Sequence, residues 1–361
     1  MRIAVIGLGL IGGSVALAAS ERLEAQLRGW DPDPEALREA LRRGALGEAS
    51  GSLAEAVRDA QAVFVAAPVG ALPALVGEVL EAVGPDCVVS DVGSTKRAVV
   101  AAHSDQRFVG GHPLAGAETA GIAHARADLF EGATWYLTPT ASADGVLYER
   151  LHRLVGALGA HPVVIDPDAH DRMLALVSHL PHVFANVLVA QAAAGSSGAE
   201  RDAPAQRLPV VGPSFRDATR VAGSNSAIWT DIYLSNRDAL IPALEDSIAR
   251  LSAVRDALAR ADAQRITAWN DAAARDHQRL HAGQLAGGEL CELRVPVPNR
   301  PGVVAQLALE LGRVGVNIAD LGLYPTPDNR AGVVTMWIAG EDNAQRAQEL
   351  VAKLGFGVFR P

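Results

Sequence analysis

Ile3-Ala-Val-Ile6-Gly7-Leu8-Gly9-Leu10-Ile11-Gly12-Gly13-Ser14 is the stretch whose reading decides the fold. Its apolar start, with only Arg2 ahead of it, reads as a buried strand, and a helical pattern runs on over 11–20. Between them stands Gly7-x-Gly9-x-x-Gly12. Gly7 allows a tight turn, Gly9 lets the backbone approach a pyrophosphate, and Gly12 lets helix pack on strand, with the helix N-terminus facing the phosphates. The spacing alone is a weak sign, and a ligand-free Gly-rich turn is the bland alternative. Context strengthens it: Asp31 ends the next strand, 24 residues past Gly7,. A carboxylate there accepts hydrogen bonds from the adenosine ribose and repels a 2′-phosphate. Pro32 and Asp33 follow with no adjacent Arg, which favours NAD over NADP. The candidate cofactor contacts are Gly7, Leu8, Gly9, Leu10, Ile11, Gly12 and Asp31, joined by Ala67 and Pro68 just past the run Ala62–Ala66.

Outward from this turn, Ala62–Ala66, Cys87–Ser90 and Val163–Ile165 read as further strands, and 34–43, 71–82 and 145–158 as helices. Such alternation predicts βαβ units and a Rossmann-type parallel sheet over residues 1–166. Residues 167–286 carry long helical patterns and almost no strand signal, an all-α domain. Asp168 is placed to cap a helix, with Asp171 three positions on. Residues 191–208 read as a loose connection, with helical continuation through the alanines as the alternative. Residues 237–282 read as one or two long helices. A helical domain this apolar suggests a homodimer. After Gly287-Gly288, strands at Leu290–Val297, Val316–Leu323, Gly332–Ile338 and 355–359 and helices at Pro301–Val314 and 342–353 give βαββαβ. A turn sits at Pro327-Asp328-Asn329. This is a small ferredoxin-like unit over 288–361. A chain of 361 residues exceeds what one core usually supports, so a division into parts is expected,.

Hydrophobic residues make up 49% of the chain, enough for a large core, yet no uninterrupted apolar run suits a membrane span,. The N-terminus reads as strand and turn, not as a signal peptide, so a cytoplasmic location is expected. A net charge of -9 argues against nucleic acid as a partner,. Cys87 and Cys291 make no disulfide framework or metal spacing. Two of the 32 basic residues are lysines, Lys96 and Lys353, so arginine here reflects composition more than chemistry.

Two segments fall past strand ends, where such a sheet presents its crevice: Asp91-Val-Gly-Ser-Thr-Lys96 and Gly111-His-Pro-Leu-Ala-Gly116,. His112 precedes a proline that restricts its backbone, so its ring can be held toward the crevice. A surface loop histidine is the commoner fate for a lone one. In the helical part, Ser178-His-Leu-Pro-His182 puts His179 and His182 three apart on one helix face. No carboxylate or cysteine stands at a recognisable spacing to complete a metal site, so none is expected. Phe215-Arg-Asp-Ala-Thr-Arg220, followed by Trp229, offers Arg220 as a carboxylate clamp against the plainer reading of a solvated helix arginine.

Val5–Ser14, Asp91–Lys96, Gly111–Gly116 with Glu118, Ser178–His182 and Asp217–Arg220, in this order, resemble the prephenate/arogenate dehydrogenase family over about residues 1–283. The tail resembles an ACT domain through Val297-Pro-Asn-Arg-Pro-Gly-Val-Val304 and Gly315-Val-Asn-Ile318, with Asn299 in place of the usual Asp. The resemblance implies oxidative decarboxylation of prephenate, or of arogenate, with hydride passed to NAD. It implies that His112 accepts the 4-hydroxyl proton and that Ser94 hydrogen-bonds His112, the hydroxyl or the nicotinamide amide. Arg220 would bind a substrate carboxylate. His182 and His179 would hold the substrate, Glu118 and Asp217 would gate the pocket, and Trp229 would wall it, while Lys96 supports its loop. Asn299, Pro301, Gly302 and Asn317 become candidate regulatory contacts for tyrosine or phenylalanine. A β-hydroxyacid-type dehydrogenase is the competing enzyme class, but it relies on a lysine in its second domain, and 166–287 has none. A sensing protein that has lost catalysis is the non-enzymatic alternative.

Overall fold

The computed structural model describes residues 1–116, 119–195, 211–282, 290–298, 300–326 and 330–360. Its first part is built from β1 (Arg2–Ile6), α1 (Leu10–Leu23), β2 (Gln26–Trp30), α2 (Pro34–Arg42), β3 (Glu48–Ala49), α3 (Leu53–Val57), β4 (Ala62–Val65), α4 (Leu72–Ala82), β5 (Val88–Asp91) and α5 (Arg97–Ala102). These give a five-stranded sheet in the order β3-β2-β1-β4-β5, every pairing parallel. β1, β4 and β5 are buried almost throughout, as strands covered by helices on both faces must be,.

The parallel pattern expected over the whole first part then breaks. β6 (Val109–Pro113), β7 (Thr134–Pro139) and β8 (His161–Val164), with α6 (Gly145–Ala157) before β8, form a separate sheet. Here β6 pairs antiparallel with β7. A bridge from Val89 to Phe108 sets it beside β5, so Gly111 and His112 stand at the crevice end of the parallel sheet.

The helical part begins with α7 (Pro167–Leu174), a π-helical turn over Ala175–His179 and α8 (Leu180–Gly195). The cap of α7 is Asp166, which accepts from the N–H groups of Asp168 and Ala169 at 3.0 and 3.1 Å. Asp168 is therefore two positions too late for the role expected of it, and Asp171 belongs to the site described below. The connection expected at 191–208 is helical through its first alanines; 196–210 lie outside the described residues. There follow α9 (Pro213–Thr219), a 3₁₀ turn at Arg220–Gly223, α10 (Ser226–Ser235), α11 (Arg237–Ala259) and α12 (Ala263–Ala282). The continuous stretch Pro167–Ala194 is long and apolar enough to cross a membrane by length and composition, contrary to the reading of the sequence, though only 33% of its most apolar window is buried. It nevertheless carries His170, Asp171 and His179, all buried, on its inward face.

The C-terminal unit runs β9 (Leu290–Pro298), α13 (Val303–Arg313), β10 (Ile318–Pro325), β11 (Ala331–Ala339) and α14 (Glu341–Lys353), with antiparallel sheet order β10-β11-β9. The sixth element expected at 355–359 is reduced to one bridge, Phe359 to Arg294 on β9. The expected turn at 327–329 lies outside the described residues. This unit shares one continuous apolar cluster with the first part, from Ile3 and Val15 through Leu151 to Leu293 and Val351. Cys87 is buried and Cys291 half-buried, and neither is in a disulfide.

Candidate active site

Gly7 sits at φ +90, a left-handed conformation, and a Cβ there would stand 2.0 Å from the carbonyl oxygen of Ala66,. A Cβ on Gly12 would meet the Gly7 carbonyl at 2.0 Å. These two glycines are required by the protein itself. Gly9 is different: a Cβ there meets nothing within 4 Å, so the space over it is what a close-lying phosphate needs. Gly9 is also the N-cap of α1 and supplies no side-chain cap, leaving the first-turn N–H groups for an anion,. Leu10 and Ile11 begin that turn half-buried. Leu8 is buried in the core and acts through its N–H, which donates to Asp31 Oδ2 at 2.6 Å. Asp31 Oδ1 accepts from Asp33 N–H at 2.8 Å. The carboxylate thus stands at the crevice end of β2 beside the Gly-rich turn. Ala67 and Pro68 lie in the loop after β4, directly past Ala66, which abuts that turn. The groups present fit a dinucleotide.

Across the crevice, His112 on β6 is 7% exposed, and its Nδ1 lies 2.8 Å from His170 Nε2. His170 Nδ1 lies 2.8 Å from Asp171 Oδ1. Asp171 also accepts the N–H groups of Lys96 and Arg97 at 2.8 and 3.0 Å; burial works to raise its carboxyl, but the hydrogen bond to His170 and then these N–H groups hold it below its usual range. As a carboxylate it takes the hydrogen of His170 Nδ1, so the lone pair of His170 is on Nε2. His112 must then donate from Nδ1, which leaves the lone pair of His112 on Nε2, where among the described residues it has no partner. Burial, and then the neighbouring His170, Lys96 and His179, push the His112 imidazole well below the ordinary histidine value. The result is a neutral base with its acceptor atom fixed.

Lys96 is fully buried, paired with Asp91, whose Oδ2 and Oδ1 also accept Gly93 and Gly111 N–H groups at 2.8 and 3.1 Å. This is the supporting role expected of Lys96. Ser94 lies in the loop between, half-buried, and makes no hydrogen bond to His112; His170 holds that nitrogen instead.

His179 and His182 both reach Trp229, one edge-on at 6.1 Å between ring centroids and one stacked at 3.6 Å and 4°. Asn236 donates to His179 Nδ1 at 3.0 Å and to the Asp171 carbonyl at 2.8 Å. Tyr233 and Asn186 hold His182 Nδ1. Both rings therefore carry their hydrogen on Nε2, the reverse of His112. Burial pushes His179 down to about 4 and lowers His182 as well. The π turn that ends at His179 is the local irregularity that re-aims this face, a device frequent at functional sites,. A cavity of about 510 Å³ is lined by Gly116, Arg220, Asn225 and Trp229, so Arg220 and Trp229 share one pocket. Asp217 is exposed on α9, and Glu118 lies outside the described residues.

His170, Asp171 and Asn236 are the site residues that sequence reasoning missed. Asp171 carried only a capping signal, and neither His170 nor Asn236 stands in a recognisable motif. Of the regulatory candidates, Asn299 lies outside the described residues and Asn317 is exposed just before β10. Gly302 is left-handed, and its N–H donates to the Ala143 carbonyl at 2.9 Å, so it is not open to an effector carboxylate.

The family described as "Prephenate dehydrogenase, nucleotide-binding domain" matches residues 15–164, and "Prephenate dehydrogenase, dimerization domain" matches 166–270. The prephenate dehydrogenase of Bacillus subtilis (strain 168) is 31% identical over 358 residues, covering 97% of this chain and 95% of that protein. The chain belongs to the prephenate dehydrogenase family. The crystal structure of the Aquifex aeolicus prephenate dehydrogenase in complex with hydroxyphenyl propionate and NAD+ superposes with a TM-score of 0.71 at 26% identity. It covers 78% of this chain and 98% of that one. The Synechocystis arogenate dehydrogenase gives 0.66 at 28%, covering 78% and 100%. The helices and strands that carry the crevice are thus those of prephenate dehydrogenases as a family.

Proposed function

We propose that this chain oxidises and decarboxylates prephenate to 4-hydroxyphenylpyruvate in tyrosine biosynthesis, with NAD as hydride acceptor. The observation that carries the reading is the chain His112–His170–Asp171, which fixes an unprotonated Nε2 beside a dinucleotide cradle. NAD, when bound, supplies the acceptor for the hydride leaving C4. His112 Nε2 takes the proton of the 4-hydroxyl as the carbonyl forms, and the resulting imidazolium is stabilised by His170 backed by the Asp171 carboxylate. Loss of the ring carboxylate as carbon dioxide then leaves its electron pair in the ring, and the resulting phenolate oxygen takes the proton back from His112 to give the aromatic phenol. Arg220 pairs with a substrate carboxylate, while His179 and His182 offer N–H donors and Trp229 an apolar wall. Ser94 stays available for the hydroxyl or the nicotinamide amide, and Asp217 and Glu118 are retained as a gate. Those donors suit the keto and carboxylate oxygens of prephenate better than the ammonium of arogenate.

The relatives support the same reading: one bears the name prephenate dehydrogenase, and another was crystallised with NAD+ and a hydroxyphenyl acid. The test is NADH formation from prephenate and from arogenate with NAD and with NADP. A higher kcat/KM with arogenate would reassign the substrate, and a higher one with NADP would overturn the role given to Asp31. Conversion of Asp31 to Ser should weaken NAD and narrow the discrimination.

The division into 1–166, 167–286 and 288–361 is proposed with it, as is a cytoplasmic homodimer. The dimer reading is supported by the match to the dimerization model and by exposed Val187, Leu188, Ile241, Ile248 and Leu251 on α8 and α11. The order β–α–β–β–α closed by the Phe359 bridge supports an ACT-like unit. With Gly302 engaged by Ala143, a tyrosine or phenylalanine effector would have to displace that contact. Inhibition of the full chain by tyrosine that is purely competitive with prephenate would place tyrosine in the active site instead.

A further inference from the structure

Helix α10 is packed into the dinucleotide-binding part of the molecule. Ile232 is 7% exposed and lies in the same apolar cluster as Ile6, Val65, Val69 and Leu72. Around it, five residues reach out to different parts of the site. Asp231 Oδ2 accepts the Gly70 N–H at 2.9 Å. Ser235 Oγ lies 2.8 Å from Thr95 Oγ1, in the loop after β5. Asn236, directly after the helix, bonds the Asp171 carbonyl and His179. Trp229 and Tyr233 hold His182.

The Asp231 contact stands apart, because it reaches the cofactor side. Gly70 belongs to the loop between β4 and α4. That loop starts at Ala66, whose carbonyl abuts Gly7 and whose Cβ would lie 2.9 Å from one on Gly12. One end of the loop therefore leans on the Gly-rich turn, and the other is held by a carboxylate from the helix that carries the substrate-side aromatic residues. Gly70 also leaves little room: a Cβ there would meet Asp231 Oδ1 at 2.6 Å.

We propose that Asp231 is a positioning residue for hydride transfer. By gripping the β4–α4 loop it sets the cofactor cradle relative to the pocket lined by Arg220 and Trp229. The inference rests on the function proposed above. Its physical basis is that hydride transfer needs both reactants in a near-attack geometry, and a misplacement of about 1 Å costs on the order of 10²-fold. The other contacts made by α10 and by Asn236 after it stay within the substrate side and the loop after β5. Among the described residues, Asp231 alone on this helix bonds the loop that abuts the Gly-rich turn.

The experiment compares Asp231→Ala, Asp231→Asn and Gly70→Ala in the full chain. Gly70 is not left-handed, so its alanine carries no backbone penalty and disturbs the same contact from the opposite side. Asp231→Ala should lower kcat about 10- to 100-fold. The dissociation constant of NADH, titrated by its own fluorescence, should stay within about threefold and KM for prephenate likewise, because neither ligand's own contacts are removed. The deuterium effect on kcat with 4-deuterated prephenate should rise, since hydride transfer is the step that slows. Asp231→Asn keeps an oxygen that accepts from Gly70 and should recover most of the rate; Gly70→Ala should reproduce the loss. A kcat in Asp231→Ala or Gly70→Ala close to that of the unaltered enzyme overturns the proposal. So does an Asn variant as slow as the Ala variant, or a loss that appears only as weaker NADH binding. Failure of the unaltered chain to form NADH from prephenate would overturn the proposed function itself, a result that no Asp231 variant can produce.

Discussion

The two sides of the crevice are made of different material. The cofactor side is backbone: a left-handed Gly7, an open Gly9, a helix start with free N–H groups, and one carboxylate held by two further N–H groups. The substrate side is side chain: His112, His170, Asp171, Asn236 and His179 form a chain of hydrogen bonds that spans 124 positions of sequence, from 112 to 236. A backbone cradle tolerates many side chains and demands only glycine at fixed spacing. A side-chain chain demands particular atoms in particular tautomers and leaves the spacing free. Function is correspondingly robust on one side and brittle on the other.

The sharpest way to break that contrast is His112→Asn. An amide cannot take the 4-hydroxyl proton, and kcat should fall by about 10²–10⁴, the usual scale for a lost general base. NADH affinity should be unaffected, because the cradle does not involve this ring. Steady-state kinetics and NADH titration check both halves. An unchanged kcat with raised KM would make His112 a binding residue and shift the base elsewhere.

The same contrast governs what could be read from sequence. Gly7, Gly12 and Asp31 were legible because a backbone constraint leaves a local, spaced signature. His112 was legible from the strand signal just before it and from Pro113 after it, although it lies within β6 and not past a strand end. His170 and Asp171 were not, since Asp171 also looks like a first-turn carboxylate, and only the packing of α7 against the loop before α5 brings it to Lys96. The antiparallel turn of β6 and β7 was missed because strands of a second sheet have the same apolar composition as those of the first. The last strand of the C-terminal unit was overcalled, because a pairing of one residue cannot be told from a strand by alternation alone.

Next in size is Arg220→Ala. Loss of a charge-assisted contact to a carboxylate costs on the order of 1.5–3 kcal/mol, roughly 10- to 150-fold in affinity. The effect should appear in KM for prephenate, with kcat less changed and NADH affinity intact. A KM that barely moves would make Arg220 a structural arginine and leave the pocket beside Trp229 without its anchor.

A third prediction uses pH, to which buried His152 on α6, also lowered to about 4, adds its own stability slope. His112, His170 and His179 are all lowered by burial, His179 to about 4. A histidine whose folded value lies below its unfolded one binds a proton only on unfolding, so stability is lost as pH falls from about 6.5 toward 4, at about 1.4 kcal/mol per pH unit for each such group. Above pH 7 these groups contribute no slope. Urea unfolding at a series of pH values should show this loss, and kcat should keep its plateau below pH 6.5 because His112 stays neutral there. An acid limb at the ordinary histidine value would contradict the buried, neutral base.

The smallest effect tests the backbone side directly. Gly9→Ala adds a methyl that meets nothing within 4 Å, at a residue with φ -74, so the fold should lose no more than about 0.5 kcal/mol,. The cost should fall on the dinucleotide alone. A methyl in the space over which a pyrophosphate approaches should raise the NADH dissociation constant by about tenfold, equivalent to about 1.4 kcal/mol, and leave KM for prephenate measured at saturating NAD unchanged. Gly7→Ala is its control: the left-handed φ and the Ala66 carbonyl should make that variant unstable before cofactor is added,. If Gly9→Ala binds NADH as well as the unaltered chain, the open space over Gly9 is not where the phosphates lie, and the cradle must be assigned to another part of the loop.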